Sequence, residues 1–273
     1  MKQSSIRLVA IDVDGTLLDS SHELSDEVRN SVRRLSASGI EVALATGRGP
    51  ALLHDLIREL DFMPWLICFS GGWIGQVESL RARELKAQLD KRLCRPAVCA
   101  VLAFARMHDV EANVFTPENW WVRKMTPEII EESRIVKLRP AVLPELVTDG
   151  KELSKILLIT GRDRPSDVLL TIKESIKGFC TAILAKTNYL EIVPPGVNKG
   201  RALALLTETL GLNLSDVAAI GDGANDLEML REAGLSIAMG NASSDLKRIA
   251  QWVVRTNDES GVSDAVDRIL QGR

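Results

Sequence analysis

Short apolar runs that end in polar, glycine-containing loops recur along this chain. Arg7–Ile11 is apolar after its first residue and leads into Asp12-Val-Asp14-Gly15. A run of that length bounded by turn residues predicts a buried strand. Ser25 stands before Asp26 and Glu27. That order suits an N-cap followed by acids at the positive end of a helix, which Ser38-Gly39 would terminate. Ile40–Ala45 predicts a second strand feeding Thr46-Gly47-Arg48, and a helix follows over about 50–60. Trp65–Phe69 predicts a third strand, ending in Ser70-Gly71-Gly72. Such β-α-β-α-β alternation predicts a parallel sheet covered by helices.

The same pattern resumes near Leu190. A helix is expected from Lys199 to Leu210, stopped by Gly211, and then a strand at Val217–Ile220. Gly221-Asp222-Gly223 turns into a helix ending near Gly234, and Leu235–Ala238 and Trp252–Val254 read as short strands. The stretch between differs. It predicts helix around 83–107, a hairpin over 113–122, an apolar run at 155–160, a helix over 167–177 and a strand at 181–184, with none of the acid-bearing motifs found on either side. The expected architecture is α/β. Residues 1–82 and 189–273 form a Rossmann-like parallel-sheet core, and 83–188 form an inserted α+β cap domain.

Composition narrows the function classes. A chain of 273 residues has room for about two domains. With 45% hydrophobic residues, 26% charged residues of mixed sign and a net charge of −3, it has an ordinary core and surface. No basic cluster points to a nucleic-acid partner. Cys68, Cys94, Cys99 and Cys180 form no C-x-x-C pair and suit a reducing cytoplasm. Met1–Arg7 lacks the apolar segment of a signal peptide, and no apolar run approaches the ~20 residues of a membrane helix, so no membrane association is expected. The oligomeric state is left open.

The polar loops carry the residue types of phosphoryl chemistry, at the strand ends where open α/β sheets bind ligands. Asp12 and Asp14 offer one carboxylate as an oxygen nucleophile and another to give and take a proton. Gly15 permits the bend and Thr16 ties it down. A lone D-x-D is more often a solvated loop, whereas D-x-D-G-T-L directly after an apolar strand is much more specific. Thr46 and Gly47 present a hydroxyl and a backbone N–H to phosphate oxygens, and Arg48 reads equally as a surface ion pair or a substrate contact. Lys199 at a helix start is a point charge suited to phosphate and Asp12 together, although a lone lysine is usually just solvated. Asp222 would complete a Mg²⁺ site with Asp12. Asn225 or Asp226 would orient Lys199 or a metal-bound water. Asp226 reads also as a first-turn acid that favours the helix dipole. His22, His54 and His108 are scattered and lack metal-ligand spacing, and Trp120-Trp121 reads as packing ahead of a pocket wall.

Taken in order, Asp12-Val-Asp-Gly-Thr-Leu-Leu18, Thr46-Gly-Arg48, Lys199 and Gly221-Asp-Gly-Ala-Asn-Asp226 resemble the four motifs of the haloacid dehalogenase superfamily. The long insert, with the tail Gly240-Asn-Ala242 and Asn257-Asp258…Gly261-Val262, is similar to the Cof-type phosphatases with a class IIB cap. The resemblance covers nearly the whole core and is weak in the cap. It implies Asp12 as nucleophile and metal ligand, and Asp14 as general acid/base ligating through its backbone carbonyl. It also implies Thr46, Gly47 and Lys199 as phosphate-binding residues, Asp222 as a Mg²⁺ ligand, and Asn225 as a contact to phosphate or a support for Lys199. Relatives often carry Asn-Gly where this chain has Ser70-Gly71, so no direct substrate role is assigned to Ser70.

The implied activity is Mg²⁺-dependent hydrolysis of small phosphorylated metabolites, foremost sugar phosphates, through an aspartyl-phosphate. In the resembling transport ATPases a threonine replaces Asp14, and dehalogenases lack that acid too, so its retention implies turnover of the phosphoenzyme. A phosphomutase of the phosphomannomutase type is an alternative, separable by a bisphosphate requirement. A non-catalytic regulatory module on the same fold is another, disfavoured by the intact acids. The cap is expected to close over the core and contact the leaving group, with Arg123 and Asn188 as candidate contacts.

Overall fold

A computed structural model of the chain describes residues 6–81, 83–145, 152–161 and 167–272. The expectation of no leader at Met1–Arg7 thus falls mostly outside the described residues. The elements run β1 (Leu8–Asp12), α1 (Asp26–Ala37), β2 (Glu41–Ala45), α2 (His54–Leu60), β3 (Trp65–Cys68), β4 (Trp73–Ser79) and β5 (Glu84–Asp90). Next come α3 (Arg95–Met107), β6 (Glu111–Phe115), β7 (Trp120–Val122), α4 (Pro127–Ile135), β8 (Ala141–Val142), β9 (Lys155–Ile159), α5 (Asp167–Ser175), β10 (Thr181–Lys186) and β11 (Tyr189–Val193). The chain ends with α6 (Lys199–Thr209), β12 (Val217–Gly221), α7 (Leu227–Glu232), β13 (Leu235–Ala238), α8 (Ser244–Ile249), β14 (Trp252–Val253) and α9 (Gly261–Leu270).

The chain divides into two compact units. One comprises Met1–Arg48, His54–Gln88 and Asn198–Arg273, the other Gly49–Leu53 and Leu89–Val197. The junctions fall after Gln88 and Val197, where the sequence pattern set them after 82 and 188. Pairing explains both shifts. β5, expected as helix, is the edge strand beside β4 in the first sheet. β11, expected in the core, pairs antiparallel with β9 and β10 in the second sheet.

The first sheet has the order β14-β13-β12-β1-β2-β3-β4-β5. Its strands β1, β2, β3, β12, β13 and β14 pair in parallel, while β4 runs antiparallel to β3. β1 and β12 are buried along their whole length, as apolar runs flanked by strands on both sides require. α1 begins and ends as its sequence dictates. The Ser25 hydroxyl accepts from the Val28 N–H, Asp26 and Glu27 occupy the first turn, and Gly39 follows at φ 83°. Its buried stripe is Val28, Ser31, Val32 and Leu35.

The second unit holds a sheet of order β10-β11-β9-β6-β7-β8. Val98 and Val101 of α3 and Leu169 and Ile172 of α5 share a buried cluster with Ala112, Val114, Ile156, Leu158, Leu190 and Ile192. The residues alternating with these along the strands include Glu111, Asn113, Lys155 and Glu191. Asn113 accepts from the Trp120 indole N–H at 3.0 Å, and Trp120 stacks on Phe115. That supports the packing reading of Trp120. No described helix is long and apolar enough to cross a membrane.

Candidate active site

Parallel register brings the site together. Ile11 stands opposite Ile220 and Asp12 opposite Ala45, so the carboxyl ends of β12, β1 and β2 lie level. Asp12 ends β1, Asp222 follows β12 and Thr46 follows β2. The chain leaves β1 toward β2 on one side while β12 pairs on the other, which is the switch point where such sheets bind ligands. Lys199 opens α6, whose N-cap Asn198 accepts from the Arg201 N–H at 2.8 Å.

The turn after β3 seats both the helix start and the Thr46 loop. Phe69, Ser70 and Gly71 all have positive φ, at 51°, 56° and 104°. A Cβ on Gly71 would lie 2.4 Å from the Asn198 carbonyl oxygen, so only glycine lets α6 approach this closely. Ser70 occupies the left-handed region, which asparagine enters more readily than serine. Its N–H donates to the Thr46 carbonyl at 3.0 Å, and the Phe69 N–H donates to the Arg48 carbonyl at 3.0 Å. Ser70 therefore shapes the loop through its backbone.

Three carboxylates face one ammonium at these strand ends. Fully buried Lys199 Nζ donates to Asp12 Oδ1 at 2.5 Å and to Asp226 Oδ1 at 2.6 Å. Asp226 Oδ2 accepts the N–H groups of Asp222 (3.1 Å) and Gly223 (2.9 Å). Asp226, ahead of Asn225, is thus the side chain that anchors Lys199. Asn225 lies half-buried on the same short turn. The Thr16 hydroxyl donates to Asp222 Oδ1 at 3.1 Å. Gly15, at φ 85°, brings the loop so close that a Cβ there would lie 2.6 Å from Asp222 Oδ2.

Asp12, Asp222 and Asp226 each place a carboxylate oxygen within 4.8 Å of the others. Burial, then the Asp226 charge, push the Asp12 carboxyl well above its ordinary range, and Lys199 offsets only part of this. Burial and the same Asp226 charge raise Asp222 to about 6. Burial acts to lower the Lys199 pKa, but Asp12 and Asp226 outweigh it and keep the ammonium charged. The cluster is short of positive charge and offers only hard oxygen donors, the chemistry that fits Mg²⁺. Asp226 is fully buried and spends one oxygen on the Lys199 ammonium and the other on two backbone N–H groups, which leaves Asp12 and Asp222 as the side chains suited to ligate it.

Asp14 faces different partners. Its side chain is 41% exposed, and Arg48 grips both oxygens, Nε at 3.0 Å and Nη2 at 2.5 Å. His22 Nδ1 lies 3.6 Å from the same carboxylate. Partial withdrawal from water acts to raise the Asp14 pKa. His22 and the Arg48 guanidinium outweigh that and hold it well below the usual carboxylate range. Arg48 thus forms the ion pair, and its partner is a candidate catalytic residue. Thr46 is buried, and its hydroxyl accepts the Arg48 N–H at 3.1 Å. His22 carries no signal at metal-ligand spacing, since its neighbour is a carboxylate eight positions back.

Arg123 and Asn188 lie in the second unit with engaged side chains. Arg123 Nη2 donates to buried Glu111 Oε2 at 3.2 Å, while the N–H groups of Arg123 and Lys124 reach Oε1. Asn188 Nδ2 donates to the Thr160 carbonyl at 3.1 Å.

Known proteins resemble this chain along most of its length. The family model of the haloacid dehalogenase-like hydrolases matches residues 9–266. The 5-amino-6-(5-phospho-D-ribitylamino)uracil phosphatase YcsE of Bacillus subtilis is 31% identical over 263 residues, 96% of this chain and 94% of that protein. The HMP-PP phosphatase of Escherichia coli is 30% identical over 243 residues, 88% of this chain and 86% of that protein. Among solved structures, a haloacid dehalogenase-like hydrolase from Bacteroides thetaiotaomicron superposes with a TM-score of 0.86 at 28% identity, covering 97% of this chain and 99% of that one.

Proposed function

The chain belongs to the haloacid dehalogenase-like hydrolases as a phosphoric monoester hydrolase, and we propose that it dephosphorylates small metabolites, sugar phosphates foremost, through a phosphoryl group carried on Asp12. The observation that carries this reading is the buried cluster in which Lys199 holds Asp12 beside Asp222. Relatives named for a phosphoribitylaminouracil and for HMP-PP support a small phosphorylated substrate.

In the first step an Asp12 oxygen attacks phosphorus, the bond to the leaving oxygen breaks, and Asp14 gives that oxygen a proton. In the second, the Asp14 carboxylate takes a proton from water, the new hydroxide attacks phosphorus, and the bond to Asp12 breaks, releasing phosphate. Lys199, Thr46, Gly47 and Asn225 hold the phosphoryl oxygens. Asp12, Asp222 and the Asp14 backbone carbonyl would hold Mg²⁺, which supplies the charge that offsets repulsion between nucleophile and phosphate. The four cysteines are unpaired, in keeping with a cytoplasmic setting.

The test is phosphate release from a panel of phosphorylated metabolites, with Mg²⁺ and with excess chelator, for wild type and Asp12→Asn. Turnover should need Mg²⁺ and vanish in the variant, which is nearly isosteric and should stay folded. Retained turnover in pure Asp12→Asn would sink the proposal. Activity that requires a bisphosphate activator would favour the mutase instead.

A further inference from the structure

The C-terminal segments Gly240-Asn-Ala242 and Asn257-Asp258 take no part in the chemistry above, yet the fold brings both against the nucleophile loop. The Asn241 amide group donates to the Gly15 carbonyl at 2.8 Å and to Asp222 Oδ2 at 3.3 Å. Asn241 Oδ1 accepts the backbone N–H of Asn257 at 3.0 Å. Asn257 Nδ2 donates to the Leu18 carbonyl at 3.1 Å, and Asp258 Oδ1 accepts the Ser20 N–H at 2.8 Å. The loop running from Gly15 to Ser20 is therefore tied at three points to residues more than 200 positions away.

One amide spans two sides of the site: the loop backbone next to Asp14 and the carboxylate that follows β12. The Thr16 hydroxyl holds Asp222 Oδ1 and Asn241 holds Oδ2, so donors on both oxygens fix the carboxylate plane. A neutral donor suits this position. A lysine would compete with a cation, and a second carboxylate would deepen a charge deficit already present. For stability alone, hydrogen bonds at an exposed asparagine contribute little. Their direction, onto a ligand and the adjoining loop, matters more, because outer partners of ligating groups tune metal affinity.

We propose that Asn241 is the positioning residue of the metal site, setting the Gly15 backbone and the Asp222 carboxylate in register for Mg²⁺, with the Asn257 backbone holding Asn241 in place. This rests on the reading of Asp222 as a Mg²⁺ ligand. The test is calorimetric titration of Mg²⁺ into chelator-stripped, full-length wild type, Asn241→Ala and Asp222→Asn. Asn241→Ala should bind Mg²⁺ about 10–100-fold more weakly. Its kcat should recover at saturating Mg²⁺, because the ligands themselves are intact, and Asn241→Ser should behave likewise if the alanine variant folds poorly. Wild-type Mg²⁺ affinity in a folded Asn241 variant, or a kcat that stays low at saturating Mg²⁺, would overturn the proposal. If Asp222→Asn also binds as wild type does, the metal reading itself fails. If Asp222→Asn loses binding and Asn241→Ala does not, only the positioning role is lost.

Discussion

Asp226→Asn removes one charge from the buried cluster while keeping its shape. Asp226 is fully buried and uses both oxygens, one for Lys199 and one for the N–H groups of Asp222 and Gly223. Asparagine has a single acceptor oxygen. If that oxygen faces the turn, its NH₂ group opposes the ammonium; if it faces Lys199, the NH₂ group opposes two part-buried backbone N–H groups. An unsatisfied buried polar group costs about 1–3 kcal/mol, and breaking a buried ion pair by removing one partner costs about 3–5 kcal/mol. Two effects act against this. Lys199 keeps Asp12, and losing the Asp226 charge relieves the repulsion that raises Asp12 and Asp222. The expected net loss is about 3 kcal/mol, at the low end of the ion-pair range. At roughly 2–4 °C per kcal/mol, Tm should fall by about 6–12 °C in a chelator-treated thermal melt. A fall of less than about 2 °C, with kcat unchanged, would refute the anchoring role of Asp226.

Asp14→Asn should slow the first step about 10²–10⁴-fold for alkyl phosphates but much less for p-nitrophenyl phosphate, whose leaving group hardly needs a proton. Rapid quench should then show a burst of p-nitrophenol, and equal losses for both substrates would mean that Asp14 only shapes the loop. A third prediction follows from Asp222, whose pKa is raised to about 6. In metal-free protein its contribution to stability is fully present below the unfolded carboxylate value and is lost as pH rises through about 6. Mg²⁺ needs the ionised form, so binding should tighten and release protons as pH climbs through that value, and an affinity flat across this range in calorimetry would contradict the cluster electrostatics. In the second unit, Arg123→Ala strips the ion-pair partner from buried Glu111, and Asn188→Ala removes a bond to Thr160. Both should lower Tm. A change in the ratio of kcat/KM between a metabolite and p-nitrophenyl phosphate would show that they also read the leaving group.

The core was legible because its signals are local. β1, β2, β3, β12 and β13 are apolar runs that stop at loops, and Ser25 and Gly39 mark the ends of α1. Phosphate-type loops at strand ends then pick out Asp12, Thr46 and Asp222 without coordinates. What sequence hid depends on partners remote along the chain. Glu84–Asp90 consists of helix-forming residues such as Glu84, Leu85, Lys86 and Ala87, yet β4 recruits it as an edge strand, and tertiary pairing overrides weak propensity. β11 has the apolar look of a core strand, and only its pairing with β9 and β10 assigns it to the second sheet. Asn225 and Asp226 are adjacent in one motif. Which of them reaches Lys199 depends on how the short turn after Gly223 points its side chains.

The two aspartates of the first motif show how far position in the fold, and not residue type, decides chemistry. Asp12 and Asp14 are two residues apart, yet burial and neighbouring carboxylates raise one while Arg48 and His22 lower the other. The roles proposed for them require the reverse: an ionised nucleophile at Asp12 and a protonated donor at Asp14. Each inversion has a specific cause that the reactants address. Asp12 is raised first by burial and then by the carboxylates that share one ammonium with it, and a divalent cation held by Asp12 and Asp222 would supply the missing charge. Asp14 is lowered by His22 and by Arg48, whose guanidinium holds both of its oxygens and is equally suited to an incoming phosphate dianion. On the proposed reaction the two reactants act in opposite senses, a bound cation favouring the ionised form of Asp12 and an incoming phosphate drawing Arg48 away from Asp14.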